Sequence, residues 1–416
     1  MKNIVIIGNG AAANSAVETI RKHDSQVPII MFAREDLPEY SACALPDCLS
    51  GRVYRSQLFI KQLKDYNRMK IHTRFGYEVQ HINTSECTLN SGQETIAYDR
   101  LILATGSRAY IPPVPGHELP GNFVVKTVRD IDAIMVNQPH KVLVAGSGNI
   151  GIEVAEALQF RGCQVTIVEL RERILPRIFD KEPASRIHKI LTTKGLEVIT
   201  GERILRISGD ERVESAATDR RLIPCDTVIW AAGVKQNVEM ASAIGIKTGE
   251  LGGIQVNSFM QTNIDSIYAC GDCIESMNML TGYPSLNMLW PSAKRQGQVA
   301  AFNCLGQKVE YEGAISFVVE DIYGITAVSM GMTSDALGAE DIQILEGENH
   351  NQYWRVLLVD DRIMGMQAIG ISSGLGAMMA LMKTRTPVSQ FRHTLADSAL
   401  FKKAAWYLPA QRFLNA

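Results

Sequence analysis

Two glycine-rich turns in the sequence could each bind the pyrophosphate of a dinucleotide. The first, Gly8-Asn9-Gly10-Ala11-Ala12-Ala13, has the pattern G-x-G-x-x-A and follows the β-branched run Ile4–Ile7. In this pattern the first glycine makes a tight turn, the second lets the backbone approach the pyrophosphate, and the small third residue lets a helix pack on the strand. The N-terminus of that helix then faces the phosphates. The alternative is an ordinary tight turn, but the strand–turn–helix context favours a nucleotide.

The second turn, Gly146-Ser147-Gly148-Asn149-Ile150-Gly151, is a complete G-x-G-x-x-G. The strand that should follow its helix ends in Glu169, 23 residues after the first glycine. A carboxylate there can accept hydrogen bonds from the ribose hydroxyls of NAD and would repel a 2′-phosphate. Arg171 and Arg173 could attract that phosphate, so NADP stays open, although NADH is favoured.

The first motif lacks the corresponding carboxylate. Ala33 stands at the end of the second strand and is followed by Arg34 and Glu35. Either Glu35 binds the ribose from a shifted position, or the ribose is held in another way. Arg34 and Glu35 are therefore candidate cofactor contacts.

Two dinucleotide motifs in one chain suggest two dinucleotides, and the pair that makes chemical sense is a flavin with a nicotinamide. A hydride can pass from C4 of the nicotinamide to N5 of the flavin when the rings stack, while the protein supplies orientation and electrostatics. We therefore expect FAD at the first motif and NAD(P)H at the second.

Three further segments carry a family resemblance. The segment 101–107 looks like the A-T-G crossover that leaves a flavin domain, 226–234 resembles the matching return strand, and 267–273 resembles a second flavin motif whose aspartate binds the ribityl chain. Together with both glycine motifs, they resemble the pyridine nucleotide-disulfide oxidoreductase family over residues 1 to about 310. The resemblance assigns further cofactor contacts: Ala104, Thr105, Gly106, Gly271 and Asp272 to FAD, and Asn149, Ile150, Ala232 and Gly233 to NAD.

The same resemblance implies an α/β fold with two Rossmann-like dinucleotide-binding domains. A discontinuous FAD domain would cover about 1–112 and 240–310, with the NAD(P) domain inserted at 113–239. It also places Glu153 near the nicotinamide, as a catalytic residue, by its place in G-x-G-x-x-G-x-E. A C-terminal α+β domain for dimerisation or partner binding would cover 311–416. Its expected strands and helices are Ile315–Val319, Tyr353–Val359, Ile363–Ile371, Ala377–Thr384 and Ala396–Tyr407.

The segment 39–46, with Cys43 at its centre, resembles the C-x-L-P motif of CoA-disulfide reductases, NADH oxidases and NADH peroxidases. In those relatives one cysteine lies against the flavin and cycles among thiolate, mixed disulfide, persulfide or sulfenate. Cys43 is thus predicted to be a redox-active catalytic residue, with a packed thiol as the alternative. Glu39 and Ala42 replace the serine and asparagine that help hold CoA in CoA-disulfide reductases, and a glutamate there would repel CoA phosphates.

The other cysteines are predicted to be packed thiols without a redox or metal-binding role. Cys48 completes a C-x4-C spacing like the redox disulfide of glutathione and lipoamide reductases, but Pro46 argues against the helix that carries that pair. Cys270 and Cys273 form C-x-x-C, and no second C-x-x-C or paired histidine spacing completes a zinc site. His393 lacks the proline that follows the catalytic histidine of disulfide reductases. No metal is predicted.

The electron acceptor stays open between two classes. The C-terminal segment resembles those of rubredoxin reductases and of the flavin module of NADH-nitrite reductases more closely than those of NADH oxidases and CoA-disulfide reductases. Rubredoxin reductases and the nitrite reductase module pass electrons to another protein. We predict an FAD-dependent NAD(P)H oxidoreductase that uses Cys43 to reduce a thiol, disulfide, persulfide or other acceptor. The alternative is an NAD(H)-linked electron-transfer subunit of an iron–sulfur complex, or the reductase of a small redox protein. A homodimer or a hetero-oligomer is expected.

Composition bounds these interpretations. The 416 residues are 46% hydrophobic and 21% charged with a net charge of −2, which is typical of a globular chain of two or three domains. The missing lysine and arginine excess argues against nucleic-acid binding. No apolar run approaches the roughly 18 residues of a membrane span. A strand beginning at Ile4 leaves no room for a signal peptide, and eight scattered cysteines are not a disulfide scaffold, so the cytoplasm is expected.

Overall fold

The computed structural model describes residues 3–338 and 341–389, which fall into two compact units. The first unit comprises residues up to 110, 126–128 and 234–314. The second comprises 111–125, 129–233 and the described residues from 315 onward. The expected helix Ala396–Tyr407 and His393 lie outside the described residues.

The first unit is built on a five-stranded parallel sheet. Its strands lie in the order β19-β7-β1-β2-β3 and are β1 (Ile4–Ile7), β2 (Ile29–Ala33), β3 (Ile71–Phe75), β7 (Arg100–Leu103) and β19 (Ile267–Ala269). All four residues of β1 are buried, as expected for a strand covered on both faces. The helices are α1 (Ala11–His23), α2 (Leu45–Ser50), α3 (Leu63–Arg68), α7 (Glu239–Ala243) and α8 (Trp290–Cys304). Two 3-10 turns cover Ala42–Ala44 and Arg55–Leu58.

Short strands complete this unit. They are β4 (His81–Asn83), β5 (Thr88–Asn90), β6 (Thr95–Ala97), β8 (Ser107–Ala109), β17 (Val234–Gln236), β18 (Ile254–Gln255), β20 (Ile274–Met277) and β21 (Pro284–Ser285). The antiparallel pair of β8 and β17 brings the segment after β7 beside the returning chain. Helix α8 packs so closely on α1 that a Cβ at Gly297 would lie 2.1 Å from the Ala12 carbonyl oxygen.

The second unit repeats the parallel design. Its sheet has the order β12-β11-β10-β16-β9, with strands β9 (Asn122–Phe123), β10 (Lys141–Ala145), β11 (Gln164–Glu169), β12 (Glu197–Thr200) and β16 (Thr227–Trp230). Its helices are α4 (Val128–Asn137), α5 (Asn149–Phe160) and α6 (Lys181–Thr193). A small antiparallel sheet contains β13 (Ile204–Ser208), β14 (Ser215–Thr218) and β15 (Leu222–Pro224). The two parallel sheets with their helices confirm the expected mixed α/β, Rossmann-like fold.

An antiparallel sheet from the C-terminal part of the chain belongs to the second unit. Its order is β22-β23-β26-β25-β24, and its elements are β22 (Phe317–Ile322), β23 (Ile325–Gly331), α9 (Ser334–Leu337), β24 (Gln343–Asn349), β25 (Gln352–Val359), β26 (Arg362–Ile369) and α10 (Leu375–Thr384). The sequence pattern indicated β25, β26 and α10, placed β22 two residues early and missed β23 and β24. Burial alternates along β22, so that Val318, Glu320 and Ile322 share the buried face.

Candidate active site

The first glycine motif joins β1 to α1 with the backbone geometry that a dinucleotide requires. Gly8 has φ +128°, and a Cβ there would lie 2.1 Å from the Ala104 carbonyl oxygen. At Gly10 a Cβ would meet no protein atom within 4 Å. Helix α1 begins at Ala11 without a side-chain cap or an acidic residue in the turn Ala11-Ala12-Ala13. Its first N–H groups therefore suit an anion.

The A-T-G crossover is fixed by a residue that sequence analysis missed. Thr105 Oγ1 donates to the Asn237 carbonyl oxygen at 2.7 Å, and Asn237 Nδ2 donates to the Thr105 carbonyl oxygen at 2.8 Å. Gly106 follows with φ +66°. Ala104, Thr105 and Gly106 are thus held at the carboxyl end of β7, beside Gly8. The signal for Asn237 was its position three residues after the return segment 226–234.

The second flavin motif, 267–273, lies against helix α1. Gly271 has φ +83°, and a Cβ there would lie 3.0 Å from the Ala12 Cβ. The Gly271 N–H donates to Gln296 Oε1 at 2.9 Å. Asp272 Oδ2 accepts a hydrogen bond from Ser107 Oγ at 2.9 Å and lies 3.4 Å from Lys126 Nζ. Ser107, Lys126 and Gln296 were not identified as site residues from the sequence.

The loop after β2 is tied back to the first glycine motif. Asn9 Nδ2 donates to the Leu37 carbonyl oxygen at 2.8 Å, and Glu35 Oε2 accepts from the Tyr40 hydroxyl at 2.8 Å. Arg34 is exposed, and Glu35 is half-buried. Glu35 therefore lies two residues beyond β2, while the buried Ala33 has no group to offer a ribose.

These residues fit the FAD that the sequence implies. The open approach at Gly10, the uncapped start of α1 and the carboxylate of Asp272 lie at the carboxyl ends of β1, β7 and β19, where ligands of parallel sheets bind. Gly8 and Gly10 are glycines for different reasons. At Gly8, the positive φ and the nearby Ala104 carbonyl oxygen exclude a side chain. At Gly10, the backbone faces the open space that a pyrophosphate would need.

The second motif likewise combines closely packed glycines with one glycine that faces open space. A Cβ at Gly146, which has φ +110°, would lie 2.5 Å from the Ala231 carbonyl oxygen, and one at Gly151 would lie 2.2 Å from that of Gly146. A Cβ at Gly148 would meet nothing within 4 Å. Helix α5 begins at Asn149 with no side-chain cap and no acidic residue in its first turn. These features fit a second dinucleotide.

Glu169 is buried at the end of β11 and braces this motif. Its carboxylate accepts hydrogen bonds from the Ser147 N–H at 2.9 Å, from Ser147 Oγ at 2.7 Å and from the Arg171 N–H at 2.8 Å. Ala232 and Gly233 follow β16, and Gly233 has φ +106° with open space where a Cβ would stand. Ile150 is 40% exposed at the start of α5. The carboxylate thus orders the glycine turn of the second motif.

Asn149 and Glu153 meet a residue that the sequence did not single out. Asn149 Nδ2 donates to Glu320 Oε1, and the side chains of Glu153 and Glu320 are hydrogen-bonded to each other. Glu320 is only 6% exposed. Two glutamates and an amide are therefore grouped on α5 and β22.

Cys43 is the one exposed thiol in a chain whose eight cysteines all lie among the described residues. It lies in the 3-10 turn Ala42–Ala44, directly before α2. Cys48 and Cys87 are half-buried. Burial raises the pKa of the remaining five thiols, to about 12 for Cys225 and Cys304: Cys163, Cys225, Cys270, Cys273 and Cys304. Cys43 is thus the thiol most open to a substrate.

The expectation that Pro46 prevents a helix is wrong. Helix α2 runs from Leu45 to Ser50 and carries Pro46 in its first turn. Proline is tolerated there because the N–H that it lacks would have no intrahelical partner. Cys43 therefore lies just before α2, and Cys48 lies inside that helix.

Glu39 does not present its charge to solvent, contrary to the expectation that it would repel phosphates. Its carboxylate is 4% exposed and forms an ion pair with Lys61, which also pairs with Glu18 at 2.5 Å. Burial raises the pKa of Glu39, and the hydrogen bond and charge of Lys61 act in the opposite direction. Burial alone would lower the pKa of Lys61, but its bonds to both glutamates raise it.

Replacement of Lys61 by methionine is expected to destabilise the first unit by about 3–5 kcal/mol, because it leaves a buried carboxylate without its cation. The measurement is the thermal midpoint of the FAD-free protein from pH 5 to 8. Since the pKa of Glu39 is raised, the loss should be small below that pKa and grow as the pH rises through it. Lys64→Met, at an exposed neighbour, should change little, and Glu39→Gln should rescue Lys61→Met. A pH-independent loss would contradict this account.

The comparisons with known proteins agree with this geometry. The family profile described as pyridine nucleotide-disulphide oxidoreductase matches residues 2–297. The chain is 34% identical over 354 residues to the NADH oxidase of Methanocaldococcus jannaschii, which covers 82% of this chain and 79% of that protein. This chain belongs to the pyridine nucleotide-disulphide oxidoreductase family. It is an FAD-dependent NAD(P)H oxidoreductase, as the sequence predicted.

Two further relatives have other activities in their names. One is subunit epsilon of the NADH-dependent phenylglyoxylate dehydrogenase of Aromatoleum evansii, which is 26% identical over 409 residues and matches 95% of each chain. The other is the solved structure of an NAD-dependent persulfide reductase from A. fulgidus. It has a TM-score of 0.89 and 26% identity and covers 93% of this chain and 78% of that one.

Two features are absent from the part of the chain that the structure describes. No described helix is both long and apolar enough to cross a membrane. Nor do the described histidine, cysteine, aspartate and glutamate side chains form a group of three or more that could hold a metal ion.

Proposed function

We propose that electrons taken from NADH leave this chain through Cys43, which reduces a disulfide, persulfide or related sulfur acceptor. The observation that carries the proposal is the exposure of Cys43, in a chain where the other seven thiols are half-buried or buried. A thiol must reach its acceptor, and in its thiolate form it is the reactive nucleophile.

A hydrogen-bond chain ties the Cys43 segment to the first glycine motif. The Tyr66 hydroxyl lies 2.9 Å from Asn9 Oδ1 and 2.9 Å from Asn14 Oδ1, and it accepts from the Glu39 N–H at 3.1 Å. Four residues after Glu39, the chain reaches Cys43. Burial raises the pKa of Tyr66, so its hydroxyl stays protonated and can donate. The cysteine loop and the dinucleotide turn are therefore held as one structure.

The opposite side of the loop is fixed by the segment before α3. The Ser41 N–H donates to the Leu58 carbonyl oxygen at 2.9 Å, and Tyr40 pairs with Phe59 in an isolated β-bridge. The rings of Tyr40 and Phe59 contact edge to face at 6.2 Å between centroids. Such a loop can hold a thiol in one place through a reaction cycle.

The chemistry assigned to the chain balances two electrons. The Cys43 sulfur attacks one sulfur of the acceptor, the acceptor S–S bond breaks, and the displaced thiolate takes a proton. Bound FAD supplies two-electron transfer from NADH. Those two electrons break the mixed disulfide on Cys43 and release the second thiol, so that NADH, a proton and a disulfide become NAD⁺ and two thiols. With a persulfide acceptor, the products are a thiol and hydrogen sulfide.

The relatives support a sulfur acceptor. The structure that resembles this chain at a TM-score of 0.89 is that of a persulfide reductase. Reduction of oxygen, which the NADH oxidase relative suggests, would use the same cysteine as a sulfenate.

Anaerobic titration with NADH tests the proposal. Wild-type holoenzyme carrying an oxidised Cys43 should take up four electrons, two in FAD and two in the cysteine, and show a long-wavelength thiolate–flavin band. Cys43→Ser should take up two, lack the band and lose at least 100-fold in persulfide reductase activity. The NADH half-reaction should remain.

Cys48→Ser is the matched control, since Cys48 lies five residues away and is half-buried. It should retain uptake of four electrons, because the proposed oxidised partner of Cys43 is a small thiol and not Cys48. Retention of persulfide reduction in Cys43→Ser would refute the role of Cys43.

A second candidate is an electron-transfer subunit of an iron–sulfur complex. The match to subunit epsilon of a dehydrogenase, which covers 95% of each chain, favours it. The segment 54–64, which pairs with the cysteine loop through Tyr40 and Phe59, also suits a protein partner, since Tyr54 is 76%, Ile60 51% and Leu63 53% exposed. Uptake of two electrons without the band, with activity unchanged in Cys43→Ser, would favour this function.

The domain division also belongs to the proposal. We propose FAD binding by 1–112 and 240–310, NAD(P) binding by 113–239, and dimerisation or partner binding by 311–416. The placement of 234–314 with the N-terminal unit, and of the second glycine motif in the other, supports it. A homodimer or a hetero-oligomer in the cytoplasm, with a small-molecule or redox-protein acceptor, remains the prediction.

A further inference from the structure

One face of helix α5 is polar and lies against the C-terminal sheet of the same unit. Asn149, Glu153, Glu156 and Gln159 follow one another at spacings of four, three and three residues, which places them in one row along the helix. A row of polar side chains on a helix that starts at a nucleotide motif needs partners where it is buried.

Strand β22 and the turn after it provide those partners. Asn149 Nδ2 donates to Glu320 Oε1 at the start of the row. At its far end, the Tyr323 N–H donates to Glu156 Oε2 at 3.2 Å and the Tyr323 hydroxyl donates to Gln159 Oε1. Glu320 is therefore the group of the C-terminal sheet that reaches the nucleotide end of α5.

The bond between Glu153 and Glu320 requires a proton. Two ionised carboxylates have no hydrogen to donate, so one of the pair must carry one. Burial raises the pKa of Glu320, while the hydrogen bonds of Glu153 and Asn149 lower it. The alternation of β22 places Glu320 among the buried Val318 and Ile322, which explains its desolvation.

We propose that Glu320 is a positioning residue for the nicotinamide: it fixes Asn149 and shares one proton with Glu153. The inference rests on the proposed role of Glu153 beside the nicotinamide. While the proton is shared, the pair presents one negative charge to the ring, and its loss adds a second. The ring of NAD⁺ is cationic and that of NADH is neutral, so the charge of the pair sets the relative affinity for the two forms.

Burial raises the pKa of Glu320, and Glu153 and Asn149 are the side chains that act on it. Further charged groups lie on the same two elements. Helix α5 adds Glu156, which faces Tyr323, and β22 adds Asp321, which accepts from the Gly324 N–H at 2.7 Å. Lys194 Nζ lies 5.9 Å from the centre of the Tyr323 ring, at the far end of the row. Since Asn149 is neutral, the titration at the nucleotide end belongs to Glu153 and Glu320.

The test compares binding of NAD⁺ with that of 1,4,5,6-tetrahydro-NADH, a neutral-ring analogue that cannot donate hydride, to the oxidised holoenzyme from pH 4.5 upward to 9, because the pKa of Glu320 is raised from the ordinary glutamate range. In the wild type, affinity for NAD⁺ relative to the analogue should rise about tenfold with pH, for one added charge near the ring. Glu320→Gln cannot ionise and should abolish this rise. Glu156→Gln, on the same face of α5, is the matched control and should keep it.

A wild-type pH dependence in Glu320→Gln would overturn the proposal. If that variant does not fold, Asn149→Ser replaces it. Loss of the Asn149 hydrogen bond should move the midpoint of the titration to higher pH, and an unmoved midpoint would also overturn the proposal. Because no sulfur acceptor is present, failure of the Cys43 proposal would leave these results unchanged.

Discussion

Gly10→Ala is expected to give a folded protein that has lost FAD. Gly10 has φ −80° and ψ −171°, an extended conformation open to any residue, and an added Cβ would meet no protein atom within 4 Å. That Cβ would instead occupy the space through which a pyrophosphate approaches the first turn of α1. Loss of two charge-assisted hydrogen bonds at ~1.5 kcal/mol each weakens binding by about 3 kcal/mol, or more than 100-fold.

The measurement is the flavin absorbance that remains after gel filtration, followed by FAD titration of the apoprotein. The apoprotein of Gly10→Ala should unfold within a few degrees of wild-type apoprotein, since alanine at an N-cap costs about 1 kcal/mol. Gly376→Ala is the control, because Gly376 also lacks neighbours within 4 Å but lies in α10. Gly8→Ala should fail to fold, since its Cβ would lie 2.1 Å from a carbonyl oxygen. Normal FAD content in Gly10→Ala would contradict the assignment.

Gly148→Ala is expected to keep FAD and lose NADH. Gly148 has φ −70° and ψ −178°, and its added Cβ would also meet nothing within 4 Å. By the same physical reasoning, the dissociation constant for NADH should rise about 100-fold. Flavin reduction by NADH should slow accordingly at subsaturating NADH, whereas reduction by dithionite should be unchanged.

The measurement is anaerobic stopped-flow reduction at increasing NADH. Gly151→Ala separates binding from folding, because its Cβ would lie 2.2 Å from the Gly146 carbonyl oxygen and should destabilise the second unit itself. Together, Gly10→Ala and Gly148→Ala should show opposite losses of the two cofactors. Loss of FAD from Gly148→Ala with NADH binding intact would reverse the assignment of the two motifs.

The parts of the site that could be predicted from the sequence are those encoded by local spacing. Gly8, Gly10, Gly146 and Gly148 could be found because strand–turn–helix geometry depends on a few consecutive residues. The central strands of both parallel sheets, such as β1 and β10, were predictable as continuous apolar runs, whereas β3, β9 and β12 carry polar residues and were missed. The pattern failed at Pro46, where a rule about helix interiors was applied to a first turn.

The pairing of charged side chains could not be predicted from local spacing. The sequence shows a glutamate at 39, but whether that glutamate repels an anion depends on Lys61, which neutralises it across 22 residues. Similarly, the two ionisable groups of the pair on α5 and β22, Glu153 and Glu320, are far apart along the chain. Separation in sequence carries no information on such pairs, since the approach of two side chains depends on the packing of whole elements.

The sequence by itself therefore determined the family, through a set of motifs in order along the chain, and with it the two dinucleotides. It also located the two glycine turns, because a strand–turn–helix unit depends on backbone geometry within a few consecutive residues. Only the tertiary structure decided which distant residues brace those turns. Asn149 and Glu320 are 171 residues apart, Lys126 and Asp272 are 146 apart, and Asn9 and Tyr66 are 57 apart. Each pair meets because sheets and helices pack, and packing brings together side chains that no local pattern relates.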